Sequence, residues 1–472
     1  MGKIFQWRED YVKQKFLLYL GTPKSLFYFT KYVAKIPVKL YILIDIMEAE
    51  NLNLLGTYSA LPMPEKGSTV VLGLSGGVDS TLACMLLQEA GCKVIAVTMS
   101  LWNNDLDLPP NSEGLRNSCY GPDEQIDIEA CKTFCAEKNI EYHVIPVKEA
   151  YKKHVMDYFK SEYRHGRTPN PCIMCNPKVK FGALLDGVEA LGIKYDYFCT
   201  GHYARLVRPD FDISELYGEA NAEQAKYQQY EKNPVVIGKA LDVVKDQGYF
   251  LYRIPSSVLE KVRFPLGNFT KQQVFEMARE RGLKAAEKAE SQDFVPPEFF
   301  DVIFSDVPPV PGDIVDLSGK ILGKHKGIEY YTIGQRRGLG VSANVPLYVH
   351  SIDSEKNCVV LCENDDLLKT GLIADNWVWA GNFAPTKEFR AEVKIRLASK
   401  PVMSTIIPIF DDIETSKNQN ETENQAENQI LPTKYKIIFD IPQRAVAPGQ
   451  SAVLYLNGTI LGGGLISQGI NE

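Results

Sequence analysis

The spacing of apolar residues changes several times along the chain, and each change predicts a new element. The β-branched, apolar run at residues 69–74 predicts a buried strand, and residues 81–89 have the spacing of a helix that ends at Gly91. Residues 94–99 form another apolar run and predict the next strand. A strand, a helix and a second strand in this order indicate a βαβ unit with parallel strands.

Two further pairs of helix and strand repeat this pattern. The first pair is predicted at 126–138 and 141–147, and the second at 180–191 and 195–200. The sequence therefore predicts an α/β domain with a parallel sheet over residues 68–254. A polar segment near 209–233 is predicted to be an insertion exposed to solvent.

The remaining regions have different patterns. Residues 255–312 are predicted to form a small, mostly helical middle domain with an amphipathic helix at 271–281. Residues 313–472 contain short alternating strands separated by Gly and Pro, which predicts a C-terminal β-barrel with a low-complexity insertion near 411–433. Residues 1–67 are rich in aromatic residues and Lys, and a structural appendage, an RNA-contacting arm and a targeting segment all fit that composition.

Composition favours a soluble protein of several domains. The 472 residues, 45% of them hydrophobic and 24% charged, suffice for roughly two to four domains with buried cores. No run approaches the roughly 20 apolar residues that span a bilayer, so no membrane partner is expected. Ten Cys without a signal-peptide pattern indicate reduced intracellular thiols. We expect a monomer in the cytoplasm, or in an organelle if residues 1–67 include a targeting segment.

The net charge of −7 does not exclude a nucleic-acid partner, because two segments carry most of the acidic residues. Residues 411–430 have a net charge of −5 and residues 209–234 of −4, which leaves +2 for the rest of the chain. An RNA partner is therefore compatible with the sequence, and local patches of Lys and Arg would supply its phosphate contacts.

Residues 75–80, Ser-Gly-Gly-Val-Asp-Ser, lie between the first predicted strand and its helix. Adjacent glycines let the backbone approach an anion, and the N–H groups at a helix start favour negative charge. A simple tight turn would not need two hydroxyls and a carboxylate. The spacing is not that of a Walker A site, and no Lys is placed to reach β and γ phosphates. This phosphate loop is instead similar to the pyrophosphatase-type loop (PP-loop) of enzymes that cleave ATP between its α and β phosphates.

Motifs further along the chain resemble those of the tRNA-specific 2-thiouridylases, in the same order. They are Thr-Pro-Asn-Pro-Cys-Ile-Met-Cys-Asn at 168–176 followed by Lys178, Lys180, Phe181 and Gly182, Thr-Gly-His-Tyr-Ala-Arg at 200–205, Lys-Asp-Gln at 245–247, Thr-Ile-Gly-Gln-Arg-Arg-Gly at 332–338, Arg-Ala-Val at 444–446, Gly-Gln-Ser-Ala-Val at 449–453 and Leu-Gly-Gly-Gly at 461–464. The resemblance covers roughly residues 68–472 apart from the two acidic insertions. It implies a PP-loop catalytic domain, a central tRNA-binding domain and a C-terminal β-barrel.

The resemblance implies an ATP-dependent tRNA sulfurtransferase that acts on the wobble uridine of the tRNAs for lysine, glutamate and glutamine. In such an enzyme ATP, bound with Mg²⁺, adenylates the C2 oxygen of the uridine and releases pyrophosphate. Sulfur then displaces AMP. An anticodon base is already unpaired, so it turns into a pocket at lower cost than a base in a duplex.

The resemblance also implies which residues bind ATP and tRNA. ATP is expected at Gly73, Leu74, Ser75, Gly76, Gly77, Val78, Asp79, Ser80, Met99 and Gly201. The target base and the rest of the tRNA are expected at Asn170, Pro171, Cys172, His202, Lys245, Asp246, Gln247, Arg396 and Gln450.

Cys175 holds the position of the catalytic thiol in the family. A reactive thiolate needs a helix N-terminus or nearby cations. Cys175 precedes a helix predicted from Val179 onward and has Lys178 and Lys180 close in sequence, which would favour its thiolate.

The chain departs from the family pattern at the second cysteine. Relatives carry a persulfide-bearing Cys just after the motif that matches residues 290–293, whereas Phe294 follows here. Two sulfur routes are therefore favoured. Either Cys172 and Cys175 share a persulfide relay, or Cys119, Cys172 and Cys175 hold an iron–sulfur cluster with one open iron site. The sulfur would come from a donor protein of a cysteine desulfurase relay or from free sulfide.

Two other functions also fit the sequence. One is a different PP-loop tRNA thiolase that forms 4-thiouridine or 2-thiocytidine, which an analysis of the thionucleosides would separate. The other is a tRNA-binding relative without sulfurtransferase activity, which the missing Cys after residue 293 would explain.

Overall fold

The computed structural model describes residues 58–104, 106, 108, 120–209, 234–287, 294, 299–382, 384–410 and 431–472. Cys119, the motif at 290–293 and most of the two polar insertions lie outside these residues. Of the predicted N-terminal extension, residues 58–67 are described.

A five-stranded parallel sheet forms the first layer of the molecule. In spatial order its strands are Glu141–Pro146, Lys93–Ser100, Thr69–Gly73, Tyr197–Thr200 and Val262–Arg263. Alternate residues of the central strands enter different hydrophobic clusters, because Val71 and Val97 pack in one cluster and Val70 and Ala96 in another. Both faces of the sheet are therefore buried, as expected for parallel strands. The predicted α/β fold is confirmed.

Helices cover both faces of this sheet. The α-helices are Val78–Glu89, Glu124–Glu137, Lys148–Tyr151, Asp157–Arg164, Pro171–Cys175, Leu184–Ala190, Gly248–Leu251, Ser256–Leu259, Lys271–Glu280 and Phe300–Ile303. The π-helical segments Lys152–Met156 and Asn176–Ala183 join consecutive helices, and the short 3-10 helices are Lys284–Glu287, Ile328–Tyr330, Asp365–Leu367 and Ala380–Asn382. Val78–Glu89 and Glu124–Glu137 pack on one face of the sheet, and Leu184–Ala190 packs on the other.

The helix Lys271–Glu280 confirms the predicted amphipathic helix of the middle segment. It begins with a capping box, in which the Thr270 side chain accepts from the Gln273 N–H and the Gln273 side chain accepts from the Thr270 N–H. Within the described part of the chain, no helix combines the length and the apolar character that crossing a membrane requires.

The C-terminal region forms two β units in sequence. The first is a four-stranded sheet with the spatial order Ile321–His325, Gly312–Asp316, Cys358–Cys362 and Tyr348–Asp353. The second is a six-stranded antiparallel barrel of Leu368–Trp379, Lys434–Arg444, Val402–Ile409, Phe389–Lys394, Ser451–Leu456 and Thr459–Ile470, closed by pairing of the last strand with the first. The predicted β-barrel is confirmed in this second unit. Both units consist of short strands, so the sequence pattern alone does not separate them.

The antiparallel sheet of the barrel extends into the region that the sequence predicts as α/β. Thr459–Ile470 pairs with Val236–Gly238, which continues to Arg205–Pro209 and Tyr58–Ala60. In the other direction, the parallel strand Val262–Arg263 lies beyond the boundary expected at residue 254. The two sheets thus exchange segments, and local apolar spacing contains no signal for that exchange.

Candidate nucleotide site and cysteine helix

The phosphate loop has the backbone geometry of an anion site. Gly76 adopts a left-handed φ of +75°, and the helix Val78–Glu89 begins directly after Gly77. No side chain of the described residues caps this helix, which leaves the first-turn N–H groups for a bound anion. The hydroxyl oxygens of Ser75 and Ser80 lie 3.1 Å apart, and Ser80 Oγ donates to the Gly77 carbonyl at 3.2 Å.

Gly201 lies against the phosphate loop, just after the strand Tyr197–Thr200. A Cβ at this position would be 2.8 Å from the amide nitrogen of Ser80 and 2.9 Å from the carbonyl carbon of Asp79. Any larger residue would therefore push the loop away. The close approach explains why Gly stands here, and the ATP contact expected of Gly201 stays a prediction.

A pocket opens beside the phosphate loop at the carboxyl ends of the parallel strands, where α/β sheets bind ligands. It is lined by Gly73, Leu74, Ser75, Asp79, Ser80, Val97, Met99, Lys180, Leu184, Thr200, Gly201, His202 and Gln247. The residues expected to bind ATP line it except Gly76, Gly77 and Val78, which form the turn and the start of the helix. Motifs that are far apart in sequence therefore meet in one place.

The Asp79 carboxylate is held by two side chains from distant segments. Lys271 Nζ lies 2.7 and 2.9 Å from its two oxygens, and the Tyr203 hydroxyl donates to Oδ1 at 2.8 Å. Both residues are buried. Sequence analysis missed them, because Lys271 is 192 positions from Asp79 and belongs to a helix whose pattern is only amphipathic.

The surroundings of His202 favour its neutral imidazole. Its Nδ1 lies 2.7 Å from Thr200 Oγ1, and its Nε2 lies 3.4 Å from Lys180 Nζ. Burial first, and the charge of Lys180 second, hold the pKa of His202 well below its usual value. An ammonium can only donate, so Nε2 accepts and the ring proton is on Nδ1. The imidazole thus orients Lys180 at the pocket, and contact of His202 with tRNA stays a prediction.

Asn170 starts the helix that carries two candidate thiols. Its side chain accepts from the Cys172 N–H at 3.2 Å, and Pro171 occupies the first turn. We call Pro171–Cys175 the cysteine helix. Cys172 is exposed and Cys175 is half-buried. Their spacing of three residues places both thiols on the same face of the helix.

The observed start of this helix corrects the explanation given for Cys175. Cys175 ends the cysteine helix, which continues into the π-helical segment Asn176–Ala183, instead of preceding a helix that starts at 179. Cys172, and not Cys175, lies in the first turn, where the helix dipole favours a thiolate. An Asn followed by Pro is a helix-start signal that apolar spacing does not contain.

A turn of the barrel holds the residues that precede the cysteine helix. The Thr168 N–H donates to the Pro448 carbonyl at 2.8 Å. Gln450 Nε2 donates to the carbonyls of Thr168 and Pro169 at 3.0 and 3.3 Å. The Gln450 amide therefore supports the cysteine helix from the barrel side, and its expected contact with tRNA stays a prediction.

Gln247, at the end of the Lys-Asp-Gln run, lines the pocket beside the phosphate loop. Its side-chain oxygen accepts from the Tyr203 N–H at 2.9 Å, and its own N–H donates to the Tyr203 carbonyl at 2.8 Å. Tyr203 also contacts Asp79. The Lys-Asp-Gln run, which is expected to bind tRNA, is therefore connected to the phosphate loop through Tyr203. The tRNA contacts of Lys245 and Gln247 stay predictions.

Asp246, between these two residues, has its carboxylate turned inward. It is buried, and its oxygens accept from the N–H groups of Ala240 and Gly248 at 2.7 and 3.2 Å. Burial raises the pKa of this carboxyl. In the structure Asp246 shapes the loop, and a contact of its own with tRNA stays a prediction.

Arg396 lies outside the pocket lining, just after the strand Phe389–Lys394. Its guanidinium donates to the Arg444 carbonyl at 3.3 Å, and the Arg444 guanidinium lies 4.7 Å from the centroid of the Tyr348 ring. Arg396 thus lies on the barrel and does not line the pocket, and its tRNA contact stays a prediction.

Cys119, the third candidate thiol, lies outside the described residues. Within the described residues, no group of three or more His, Cys, Asp or Glu side chains is placed to hold a metal ion. The adjacent Tyr120 stacks on Tyr151, with 5.2 Å between the ring centroids, and the following segment Lys152–Met156 packs against the cysteine helix.

Three family models match consecutive parts of the chain. They are the tRNA methyl transferase HUP domain at residues 68–296, the tRNA methyl transferase PRC-barrel domain at 301–363 and the aminomethyltransferase beta-barrel domain at 369–466. The last two matches coincide with the four-stranded sheet and the six-stranded barrel.

Curated relatives match the chain over nearly their whole length. A tRNA-specific 2-thiouridylase MnmA from Endomicrobium trichonymphae is 39% identical over 399 residues, which are 84% of this chain and 98% of the relative. The protein of the same name from Chloroflexus aggregans is 36% identical and covers 85% of this chain and 99% of its own. That from Carboxydothermus hydrogenoformans is 36% identical and covers 84% and 97%.

Proposed function

Because the chain belongs to the tRNA-specific 2-thiouridylase family, we propose that it replaces the C2 oxygen of the wobble uridine by sulfur in the tRNAs for lysine, glutamate and glutamine. ATP adenylates that oxygen and is converted to AMP and pyrophosphate. One observation carries the proposal. A single pocket is lined by residues of the phosphate loop, by Gly201, and by Lys180 and Leu184. Lys180 and Leu184 belong to the helical segments that continue the cysteine helix.

The phosphate loop is proposed to bind the phosphates of ATP through the N–H groups at the start of its helix. Met99, at the end of its strand, would contact the adenine. Mg²⁺ suits the oxygen donors of Asp79, Ser75 and Ser80, because it prefers oxygen ligands and commonly binds through one carboxylate plus substrate phosphates. When bound, Mg²⁺ would neutralise phosphate charge and orient the pyrophosphate as a leaving group.

The adenylation step needs positive charge at the α phosphate. The uridine C2 oxygen attacks the α phosphorus, and the bond between that phosphorus and the pyrophosphate oxygen breaks. Lys180 lines the pocket. Its partner His202 has a lowered pKa and carries no negative charge, so it does not compensate the positive charge of the ammonium group. We assign Lys180 to the oxygens of the α phosphate, where it stabilises the charge of the transition state.

The sulfur step forms a C2–S bond and releases AMP with the former uridine oxygen. In the relay, the outer sulfur of a persulfide on Cys175 attacks C2. The Cys172 thiolate then attacks the inner sulfur, which frees the 2-thiouridine and leaves a disulfide between Cys172 and Cys175. An external dithiol reduces that disulfide. The exposed Cys172, three residues before Cys175 on one helix face, supports this route.

The cluster route adds Cys119 as a third ligand. Three thiolates would hold an iron–sulfur cluster whose open iron site binds sulfide. Anaerobic purification followed by iron and acid-labile sulfide assays separates the two routes. Iron-free protein with full activity rules out the cluster, whereas loss of both iron and activity in Cys119→Ser rules out the relay.

The remaining parts of the proposal concern the partners. The tRNA is proposed to contact Asn170 and Pro171 at the target base, Lys245 to Gln247 near the pocket, and the barrel at Arg396 and Gln450. The enzyme is proposed to be a cytoplasmic monomer that receives sulfur from a donor protein or from free sulfide.

The proposed function is tested by incubating the protein with ATP, unmodified tRNA and a sulfur source, and by mass spectrometry of the nucleosides. One arm supplies a cysteine desulfurase with cysteine, whose persulfide sulfur can be transferred to Cys175, and the other supplies sulfide. We expect 2-thiouridine with the wild type. With Cys175→Ser the yield should be about 100-fold lower, because Ser lacks the thiol that carries or activates sulfur. Cys358→Ser, on a strand of the four-stranded sheet, is the control and should keep full activity. Normal 2-thiouridine with Cys175→Ser, or 4-thiouridine or 2-thiocytidine as the product, would refute the proposal.

A further inference from the structure

Lys271 brings a positive charge from the middle segment to the phosphate loop. Its Nζ lies 2.7 and 2.9 Å from the two oxygens of Asp79, and its side chain is only 11% exposed. Asp79 is 32% exposed and lines the nucleotide pocket. The ammonium is therefore within hydrogen-bonding distance of a carboxylate that a bound nucleotide would meet.

The chain fixes the position of Lys271 from several sides. Lys271 is the first residue of its helix, whose capping box orients that turn, and its N–H donates to Asp242 Oδ2 at 2.9 Å. The ammonium lies 4.9 Å from the centroid of the Phe275 ring and 5.5 Å from that of Tyr203. Lysine is seldom buried to this extent, because its charge loses hydration there. The placement is therefore a specific feature of this site.

A triphosphate that enters the pocket meets a charge conflict at Asp79. The carboxylate and the phosphates are both negative, and in a half-buried pocket their repulsion is only partly screened by water. Lys271 compensates the charge of Asp79 in the free protein, so the pocket wall does not repel an approaching polyanion. Once the carboxylate engages Mg²⁺, the ammonium needs a new anionic partner within the same few ångströms.

We propose that Lys271 binds the β and γ phosphates of ATP and then the pyrophosphate leaving group, exchanging Asp79 for phosphate oxygens when Mg-ATP enters. The inference rests on the proposed ATP-dependent function, and it supplies the lysine that the phosphate loop itself lacks. Lys271 takes no part in bond formation. It stabilises the charge that grows on pyrophosphate as the bond to the α phosphorus breaks. AMP has neither of these phosphates and does not engage it.

The test compares the affinities of the full-length protein for Mg-ATP, Mg-pyrophosphate and AMP by titration calorimetry, without tRNA. Lys271→Met keeps the aliphatic stem beside Phe275 and removes only the charge. We expect it to weaken ATP and pyrophosphate binding about 10- to 100-fold, as for loss of a hydrogen bond between charged groups, and AMP binding by no more than about twofold. Lys271→Arg should restore most of the ATP affinity, because it keeps the charge.

Lys284→Met is the matched control. Lys284 is 84% exposed and pairs with Glu137 on the surface, so its removal should leave all three affinities unchanged. Equal weakening of ATP and AMP binding, or no weakening of either, would overturn the role of Lys271. Failure of both Lys271→Met and Lys271→Gln to fold would show a purely structural ion pair and would overturn it too. A wild type that binds no ATP would instead refute the proposed function.

Discussion

The imidazole of His202 lies between a hydroxyl and an ammonium group, and this environment determines its charge. Nδ1 is 2.7 Å from Thr200 Oγ1, and Nε2 is 3.4 Å from Lys180 Nζ. A second proton on the ring would place two positive charges side by side in a half-buried pocket. Burial first and Lys180 second therefore lower the pKa of His202. A neutral ring would leave the charge of Lys180 for the proposed contact with ATP.

His202 should make the stability of the protein depend on pH in a defined direction. Below the ordinary pKa of 6.5 the unfolded chain binds a proton at this position, whereas the folded protein resists protonation until the pH reaches the lowered pKa. The stabilisation of the folded protein by the neutral imidazole of His202 is thus fully present above pH 6.5 and is lost as the pH falls. In His202→Gln, the loss of unfolding free energy as the pH falls below 6.5 should be smaller than in the wild type, because Gln binds no proton in the unfolded chain.

Urea unfolding of both proteins across this pH range measures that difference. The exposed His165→Gln is the control and should follow the wild type. If the free energy of unfolding depends on pH in the same way in the wild type and in His202→Gln, the imidazole is not held neutral.

Single residues of the site are predictable from sequence where they share a short motif. Ser75 to Ser80 and Gly201 belong to such motifs, and the structure brings them together at one pocket. Lys271 and Tyr203 are different, because their role depends on a contact with Asp79 across more than a hundred positions. Tyr203 belongs to the motif at 200–205, but neither that motif nor the amphipathic pattern around Lys271 indicates a contact with Asp79.

At the scale of elements, the barrel turn and the residues before the cysteine helix are tightly packed together. Gly449 lies in that turn with a φ of +89°. A Cβ on Gly449 would be 2.9 Å from the Thr168 carbonyl oxygen and 3.0 Å from the Thr168 nitrogen. These are backbone atoms, so only a shift of the whole segment would relieve the contact.

We therefore expect Gly449→Ala to displace the cysteine helix. The rate of thiolation at saturating substrates should fall about 10- to 100-fold, since a misplacement of about 1 Å is enough for such a loss, while the ATP affinity stays within about twofold. Gly458→Ala is a matched control, because Gly458 has a φ of +80° with no atom within 4 Å of the added Cβ. Both variants carry the left-handed cost of about 1–2 kcal/mol, so they differ in the contacts of the added Cβ with Thr168 and Arg167. Equal thiolation rates for the two variants would contradict this role of the turn.

Element boundaries are predictable only where the spacing of apolar residues defines them. The strand before the phosphate loop and the strand after its helix follow that spacing. The structure contains both strands at nearly the expected positions. The cysteine helix starts earlier than predicted because its start depends on the Asn170 side chain and on Pro171. The strand Val262–Arg263 has two residues, too few for any period to be visible.

At the scale of the whole molecule, three regions contribute to one pocket and its surroundings. The α/β layer supplies the phosphate loop and the cysteine helix, the middle segment supplies Lys271, and the barrel supplies Gln450. The sequence predicts the α/β region and the β-barrel from their periods, and both types are confirmed. It does not predict which surfaces meet, because hydrogen bonds such as that from Gln450 to Thr168 join residues 282 positions apart.

The central claim is that the C2 oxygen of the uridine leaves as part of AMP. The most direct test is to carry out thiolation in water labelled with ¹⁸O and to measure the mass of the AMP formed. We predict unlabelled AMP in an amount equal to the 2-thiouridine, because the oxygen that attacks the α phosphorus comes from the tRNA. AMP that contains ¹⁸O, or ADP formed in place of AMP, would contradict it.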